Sequence, residues 1–262
     1  MTMPALAMSL DEQAAALAWA RQELAKQDLV EFAKYVDPAA AASYSAPHIA
    51  RMARRLEAVT RGEVTRFFIT CPPRHWKSST AAEKFPVLYL ARNPLNSVII
   101  VSHGANLALG FSRNVRDCII GNPRLAELFP DLMVNPDFSA VQEWALLGSY
   151  RSSMRAIGVN TGVTGRGADL ILIDDPVADD KEAFSATKRL SVWTWYKETL
   201  RDRLNPGGAI VLIMSRWHTH DLAGMLLDAS KTGDGEKWEE LHMPALDDQG
   251  RALWPEKYPV EE

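Results

Sequence analysis

The sequence predicts an α/β fold: a central, mostly parallel β-sheet flanked by helices, with a helical segment in front of it. Three observations predict it. Four short apolar runs follow residue 65, namely "RFFIT" (66–70), "SVIIVS" (97–102), "LILIDD" (170–175) and "AIVLIMS" (209–215). Stretches of helical period separate them, and strands that alternate with helical crossovers form parallel sheets. At 262 residues and 47% apolar composition, the chain is long enough to bury one large core.

The opening "MTMPALAMSLDEQAAALAWA" lacks a basic stretch and is interrupted by Asp11 and Glu12, which predicts an amphipathic helix and not a signal peptide. Helical spacing continues to residue 63. Ile49, Met52, Ala53 and Leu56 form one stripe, with Arg51, Arg54 and Arg55 off it. Residues 1–63 are therefore expected to be a helical lid or packing layer, and 64–246 the core. In "NLALGFSRNVRDCII", Leu107, Phe111, Val115 and Cys118 mark a sheet-covering helix, and 181–204 reads as one long amphipathic helix. Residues 143–160 read as an extra hairpin leading into the glycine-rich "TGVTGRGAD". One short strand is expected near Leu241. The tail, 247–262, is polar and proline-marked like a linker.

A net charge of −4 excludes a general basic coat, so any nucleic-acid contact comes from a local patch or a ring of subunits. Cys71 and Cys118 fit no metal or redox spacing. No apolar run approaches the ~20 residues a membrane span needs, so a soluble protein is expected.

Four motifs carry chemistry. A phosphate loop points backbone N–H groups and a helix N-terminus at phosphates, while a lysine reaches the β/γ oxygens and a Ser or Thr hydroxyl binds Mg²⁺. In "CPPRHWKSS", Lys77 and Ser78 meet the side-chain requirements, but Cys71 and Trp76 occupy both glycine positions. By pattern alone, a lysine at an ordinary strand-to-helix turn stays an equal reading. Trp76 in place of glycine predicts a loop that turns without left-handed geometry there, its ring directed away from the phosphates, into packing or toward a neighbour.

"LILIDDP" ends an apolar strand in Asp174 and Asp175, as a Mg²⁺ carboxylate beside a water-activating one would be presented. The plainer reading is a strand cap before Pro176. In an open parallel sheet both this pair and Lys77 reach the carboxyl edge, where ligands bind.

"AIVLIMSRWHTHDL" brings Ser215 and Arg216 to the same edge. There Thr219 is a candidate helix cap, a sensor role for Ser215 or Arg216 stays open, and His218, His220 and Asp221 make a thin metal case. Arg166, held out among glycines, is a candidate arginine finger for a neighbouring subunit, with a solvated or DNA-contacting arginine as the alternative.

These motifs, with "VIIVSHGANLALGFSRNVRDCI", "GVTGRGADLILIDDP" and "ALWPEKYP", occur in the order seen in large terminase subunits of tailed bacteriophages, and the chain resembles their N-terminal ATPase domain from about residue 30 onward. The resemblance implies a P-loop NTPase of the ASCE, RecA-like type that hydrolyses ATP with Mg²⁺ and drives double-stranded DNA into a procapsid. It implies a nucleotide loop of Pro73, Arg74, His75, Trp76, Lys77, Ser78 and Ser79, with Arg74 beside the γ-phosphate. Ser78 and Asp174 would hold Mg²⁺, Asp175 would direct water, Arg166 would act in trans, and Ser215 and Arg216 would couple hydrolysis to movement. The region of Tyr44, Pro47 and His48 loosely matches the segment flanking the adenine.

Implied partners are DNA, portal protein, the small terminase subunit and copies of this chain in a ring, a pentamer by resemblance. Implied location is the host cytoplasm, transiently on the portal. Two departures stand out: Asp175 replaces the family's frequent Glu, and the nuclease domain that follows in the family is not expected here. A helicase-like DNA-dependent ATPase and a degenerate P-loop scaffold are the rival readings.

Overall fold

The structure is a computed structural model that describes residues 9–260 apart from 164, 166 and 234. Among the described residues, eight strands form one sheet in the order β3-β4-β5-β2-β6-β7-β1-β8. They are β1 (Arg66–Thr70), β2 (Val98–Ser102), β3 (Val134–Ala140), β4 (Glu143–Leu146), β5 (Met154–Gly158), β6 (Ala168–Asp174), β7 (Leu204–Met214) and β8 (Glu239–His242). All pairings from β5 to β8 are parallel, and β4 runs antiparallel to both β3 and β5.

The predicted runs are strands buried on both faces, which is why they read as continuous apolar sequence. Side-chain alternation divides them. Phe67, Ile69, Val98, Ile100, Leu170, Leu172, Val211 and Ile213 enter one core, and Phe68, Ile99, Val101, Ile171, Ile173, Ile210, Leu212 and Met214 the other.

Helix α1 (Leu10–Gln27) reaches the first core only through Ala25 and leaves Leu10, Leu17, Trp19 and Leu24 exposed, so its amphipathic face is weaker than expected. Helices α2 (Leu29–Val36), α4 (Pro47–Thr60), α5 (Phe85–Arg92), α6 (Ala105–Gly121) and α7 (Pro123–Leu128) cover that core, and α3 (Ala41–Tyr44) places Tyr44 in a separate small cluster. The second core lies under α9 (Ala186–Trp195) and α10 (Leu222–Thr232), with the short α8 (Asp180–Phe184) leading in. Helix α1 starts on a reciprocal cap: Ser9 Oγ accepts from the Glu12 amide and the Glu12 carboxylate accepts from the Ser9 amide. Ile49, Met52, Ala53 and Leu56 are all buried, as their spacing predicts.

Three local expectations change. The single helix over 181–204 is interrupted at Ser185, which leaves helical geometry (ψ 111°) and caps α9 through the Lys188 amide, and a π turn and a 3₁₀ turn follow to Arg203. Helix α6 buries Ala108, Phe111, Ser112, Val115 and Ile119, leaving Leu107 exposed. The expected hairpin over 143–160 is β4–β5, but β3, unpredicted, extends it and β5 joins the parallel core.

Because β1, β6 and β7 end in register, with Thr70 opposite Met214 and Asp174 opposite Ile213, their following residues meet at one edge. The polar segments singled out in the sequence begin there.

Candidate nucleotide site at the carboxyl edge

The loop after β1 is fixed at its root. The Cys71 amide donates to the Met214 carbonyl (3.3 Å), and Ser215 Oγ donates to the Cys71 carbonyl (3.3 Å). Burial pushes the Cys71 thiol up to about 12, so it packs as a neutral thiol. The loop then turns through positive φ twice, at Arg74 (62°) and Trp76 (60°). This overturns the expectation that Trp76 avoids left-handed geometry.

The turn needs that conformation regardless of the residue. Positive φ on either side of His75 is the kind of alternation that turns successive N–H groups to one side, as anion-binding loops do, and a non-glycine residue adopts it at a cost of roughly 1–2 kcal/mol. Packing supplies the compensation. The Trp76 ring meets Tyr44 edge-on at 5.1 Å, within a cluster of Tyr44, Ala46, Ile49 and Trp254. The ring is directed into packing, as expected.

His48 and His75 brace the loop. His48 Nε2 donates to the His75 carbonyl (3.1 Å), and His75 Nδ1 donates to the Pro73 carbonyl (2.9 Å), which fixes both tautomers because carbonyls only accept. Burial holds His48 below its ordinary range, so it stays neutral in this role. Tyr44 and His48, loosely matched to an adenine-flanking segment, are themselves buried against the loop.

After Trp76 the chain becomes helical at Lys77 and Ser78, then widens into a π segment, Ser79–Lys84, before α5. Pro86 explains the widening. It has no N–H and its ring crowds the carbonyl four residues back, so the Phe85 amide donates to the Thr80 carbonyl five residues back.

The buried Lys77 pairs through Nζ with Asp175 Oδ2 at 2.9 Å. Ser78 Oγ donates to Asp174, 2.8 Å from Oδ1 and 3.1 Å from Oδ2. Asp175 Oδ1 accepts from the Ser215 amide (2.9 Å), which ties the ends of β6 and β7 to the loop after β1. Asp175 also has positive φ, 41°. Of the four described non-glycine residues with positive φ, three (Arg74, Trp76 and Asp175) belong to this site, and such strain concentrates where function over-determines the backbone.

Asp174 is 1% exposed, and burial, helped by the neighbouring Asp175 charge, pushes its carboxyl up to about 7. A buried acid beside a second acid and a hydroxyl suits a bound cation. Among the described residues no group of three or more His, Cys, Asp or Glu forms a metal cage, and Mg²⁺ is commonly held by one or two carboxylates plus substrate oxygens. Ser78 and Asp174 therefore fit Mg²⁺.

An open cleft of about 450 Å³ is lined by Arg74, Trp76, Lys77, Ser78, Ser79, Lys257 and Tyr258. Size does not single it out, because a cleft of equal volume lies beside α9. What does is that two of its lining residues, the buried Lys77 and Ser78, hold the carboxylates of Asp175 and Asp174.

Not every expected residue joins it. Ser215 does, but the Arg216 guanidinium is held beside α10: Nε bonds Asp221 Oδ2 (2.8 Å) and Nη2 donates to the Thr219 carbonyl (3.2 Å). The helix cap is Asp221, which accepts from the Gly224 amide, and not Thr219. His218 Nδ1 accepts from the His220 amide inside the turn, so these residues read as a helix entry. Arg166 lies outside the described residues.

The tail expected to be a linker supplies residues that sequence reasoning missed, Trp254, Lys257 and Tyr258. The available signal was two aromatic–proline pairs, Trp254-Pro255 and Tyr258-Pro259, packed into "WPEKYP" amid polar residues.

Residues 68–252, more than two thirds of the chain, match the family model of the terminase large subunit, T4likevirus-type, N-terminal. Among solved structures, the chain is similar to the large terminase of bacteriophage HK97, at 14% identity and a TM-score of 0.46, covering 74% of this chain and 39% of that one. It is also similar to an arginine-to-alanine mutant of the large terminase ATPase domain of Thermus phage P74-26, at 16% identity and a TM-score of 0.47, covering 76% of this chain and 83% of that one. The chain thus spans well under half the length of the HK97 protein. No curated protein matches it. On the family match, this chain belongs to the T4-like large terminase subunits and corresponds to their N-terminal domain.

Proposed function

We propose that the chain is an Mg²⁺-dependent ATP hydrolase, the motor domain of a large terminase that moves double-stranded DNA into a procapsid through the portal, working as a ring of identical subunits with a small-subunit partner. The observation that carries this reading is that Lys77 and Ser78, which line one cleft, contact Asp175 and Asp174 at the end of β6.

Magnesium, when bound, neutralises charge on the β and γ oxygens. Ser78 and Asp174 would hold it, and Asp174 must be ionised to do so. Lys77 has two competing anions, Asp175 and a phosphate, and on turning to the phosphate it leaves Asp175 Oδ2 free. Asp175 then keeps its orientation through Oδ1 on the Ser215 amide and offers Oδ2 to a water. Arg74, at the cleft's rim, and Arg166, from a neighbouring subunit, are assigned to the γ-phosphate. Ser215 is the residue placed to pass a change at Asp175 to β7, whereas Arg216 acts through α10.

Mg-ATP turnover by this chain and by Lys77→Ala tests the reading. Removing the lysine is expected to lower turnover by about 10²–10³-fold, the scale of losing one preorganised electrostatic partner. Equal, background-level rates in both proteins would end the enzyme assignment.

A further inference from the structure

We propose that the segment Trp254–Tyr258 is the outer wall of the nucleotide cleft and that Lys257 binds the nucleotide's phosphates. The inference rests on reading the cleft as a nucleotide site and adds a residue from the far end of the chain to it.

The segment is anchored, not draped. Trp254 is 6% exposed, packs with Tyr44 and Ile49, and lies 5.1 Å from the His48 ring. The amides of Lys257 and Tyr258 both donate to the Trp254 carbonyl (3.1 and 2.8 Å), which folds the chain back over that anchor. Tyr258 then stacks on His75 at 4.8 Å, and its hydroxyl donates to the Arg74 carbonyl (3.3 Å). Both contacts fall on the part of the loop where the backbone is strained.

Lys257 is left exposed at the cleft. Its ammonium lies 4.7 Å from the Trp254 ring centroid, 5.6 Å from that of Tyr258 and 5.9 Å from that of Trp76. Among the described residues no carboxylate pairs with it. A salt bridge would cancel the charge, whereas aromatic faces orient an ammonium and leave its charge for another partner. A phosphate oxygen is the stronger partner: exposed cation–π contacts are worth roughly 0.5–1 kcal/mol, charge-assisted hydrogen bonds about 1.5–3 kcal/mol. In a chain of net charge −4, Arg74, Lys77 and Lys257 border one cleft. A polyanionic ligand accounts for that clustering.

The test is equilibrium binding of a non-hydrolysable ATP analogue with Mg²⁺, by calorimetry, as a function of salt. Lys257→Met keeps the apolar stem on the rings and removes the charge; Lys257→Arg keeps the charge; Lys77→Ala is the control. Expected is a loss of about tenfold in affinity for the Met variant, with a flatter salt dependence, and near-parental binding for the Arg variant. Parental affinity in the Met variant alongside weakened binding in Lys77→Ala overturns this inference and leaves the nucleotide site standing. An Arg variant as weak as the Met variant, with an unchanged melting temperature, overturns the assignment of charge. Absence of binding by the parent protein overturns both readings.

Discussion

Strand β6 carries an aspartate at each end, and the two ends have opposite character. At the amino end, Asp169 Oδ2 accepts from the Ser97 amide (2.8 Å), Ser97 Oγ (3.1 Å) and Arg151 Nη2 (2.9 Å), and Oδ1 accepts from Asn205 Nδ2 (2.8 Å). At the carboxyl end, Asp174 is more deeply buried but has one hydroxyl donor, Ser78, and a second carboxylate next to it. One carboxylate is completed by the fold and the other is left short of positive charge. Residues that finish a network hold structure, and residues left short mark the place for a ligand.

The sharpest break of this contrast is Asp174→Asn. The amide still accepts from Ser78, so the shape is kept while the charge proposed to hold Mg²⁺ goes. Turnover is expected to fall about 10³-fold or more, on the order of 4 kcal/mol of transition-state stabilisation, yet the nucleotide-free fold should become more stable.

The sign follows from the proton count. The Asp174 carboxyl sits at about 7 against an ordinary 3.8, so between those values the folded state binds the extra proton. Its contribution is fully present below about 3.8 and is lost as pH rises through about 7. At pH 8 the Asn variant should be more stable by on the order of 2–4 kcal/mol, and its stability should depend less on pH between 4 and 8. Urea unfolding across that range checks it; a variant no more stable than its parent at pH 8 removes the contrast.

At the other end, Asp169→Ala strips four donors of their acceptor, leaving Arg151 without its carboxylate. Stability is expected to fall by about 2–4 kcal/mol, with turnover per folded molecule within about twofold of the parent, since Asp169 touches none of the residues that line the cleft. Paired denaturation and turnover measurements would separate the two ends of β6 on both axes.

The same division explains what was legible in the sequence. The four apolar runs announce the sheet because central parallel strands are buried on both faces. Strand β3, "VNPDFSA", does not announce itself: it is an edge strand that tolerates Pro136 and partial exposure. The break at Ser185 was equally hidden, because serine inside an amphipathic pattern looks the same whether it continues a helix or caps the next one. Lys77, Ser78, Asp174 and Asp175 were legible as strand-end residues, since position along a strand is a local property. The brace of His48 and the wall of Lys257 and Tyr258 were not, because they reach the loop from 27 or more residues away. Arg216 misled for the converse reason: it follows a strand end, but Asp221, five residues on, captures it.

The smallest predicted effect concerns Trp76, where the pattern calls for glycine. Had the loop avoided left-handed geometry, glycine would be the worst choice there, since it would only add freedom to the unfolded chain. With φ at 60° the order reverses. Trp76→Ala loses the contact with Tyr44 and keeps the backbone strain. Trp76→Gly loses the same contact but releases the strain, so it is expected to be more stable than the alanine variant by about 1 kcal/mol, the cost of left-handed geometry set against the entropy of glycine. Thermal unfolding of the two variants side by side decides it. An alanine variant more stable than the glycine one would mean that the loop relaxes out of this conformation once the ring is gone, and that Trp76 creates the turn it occupies.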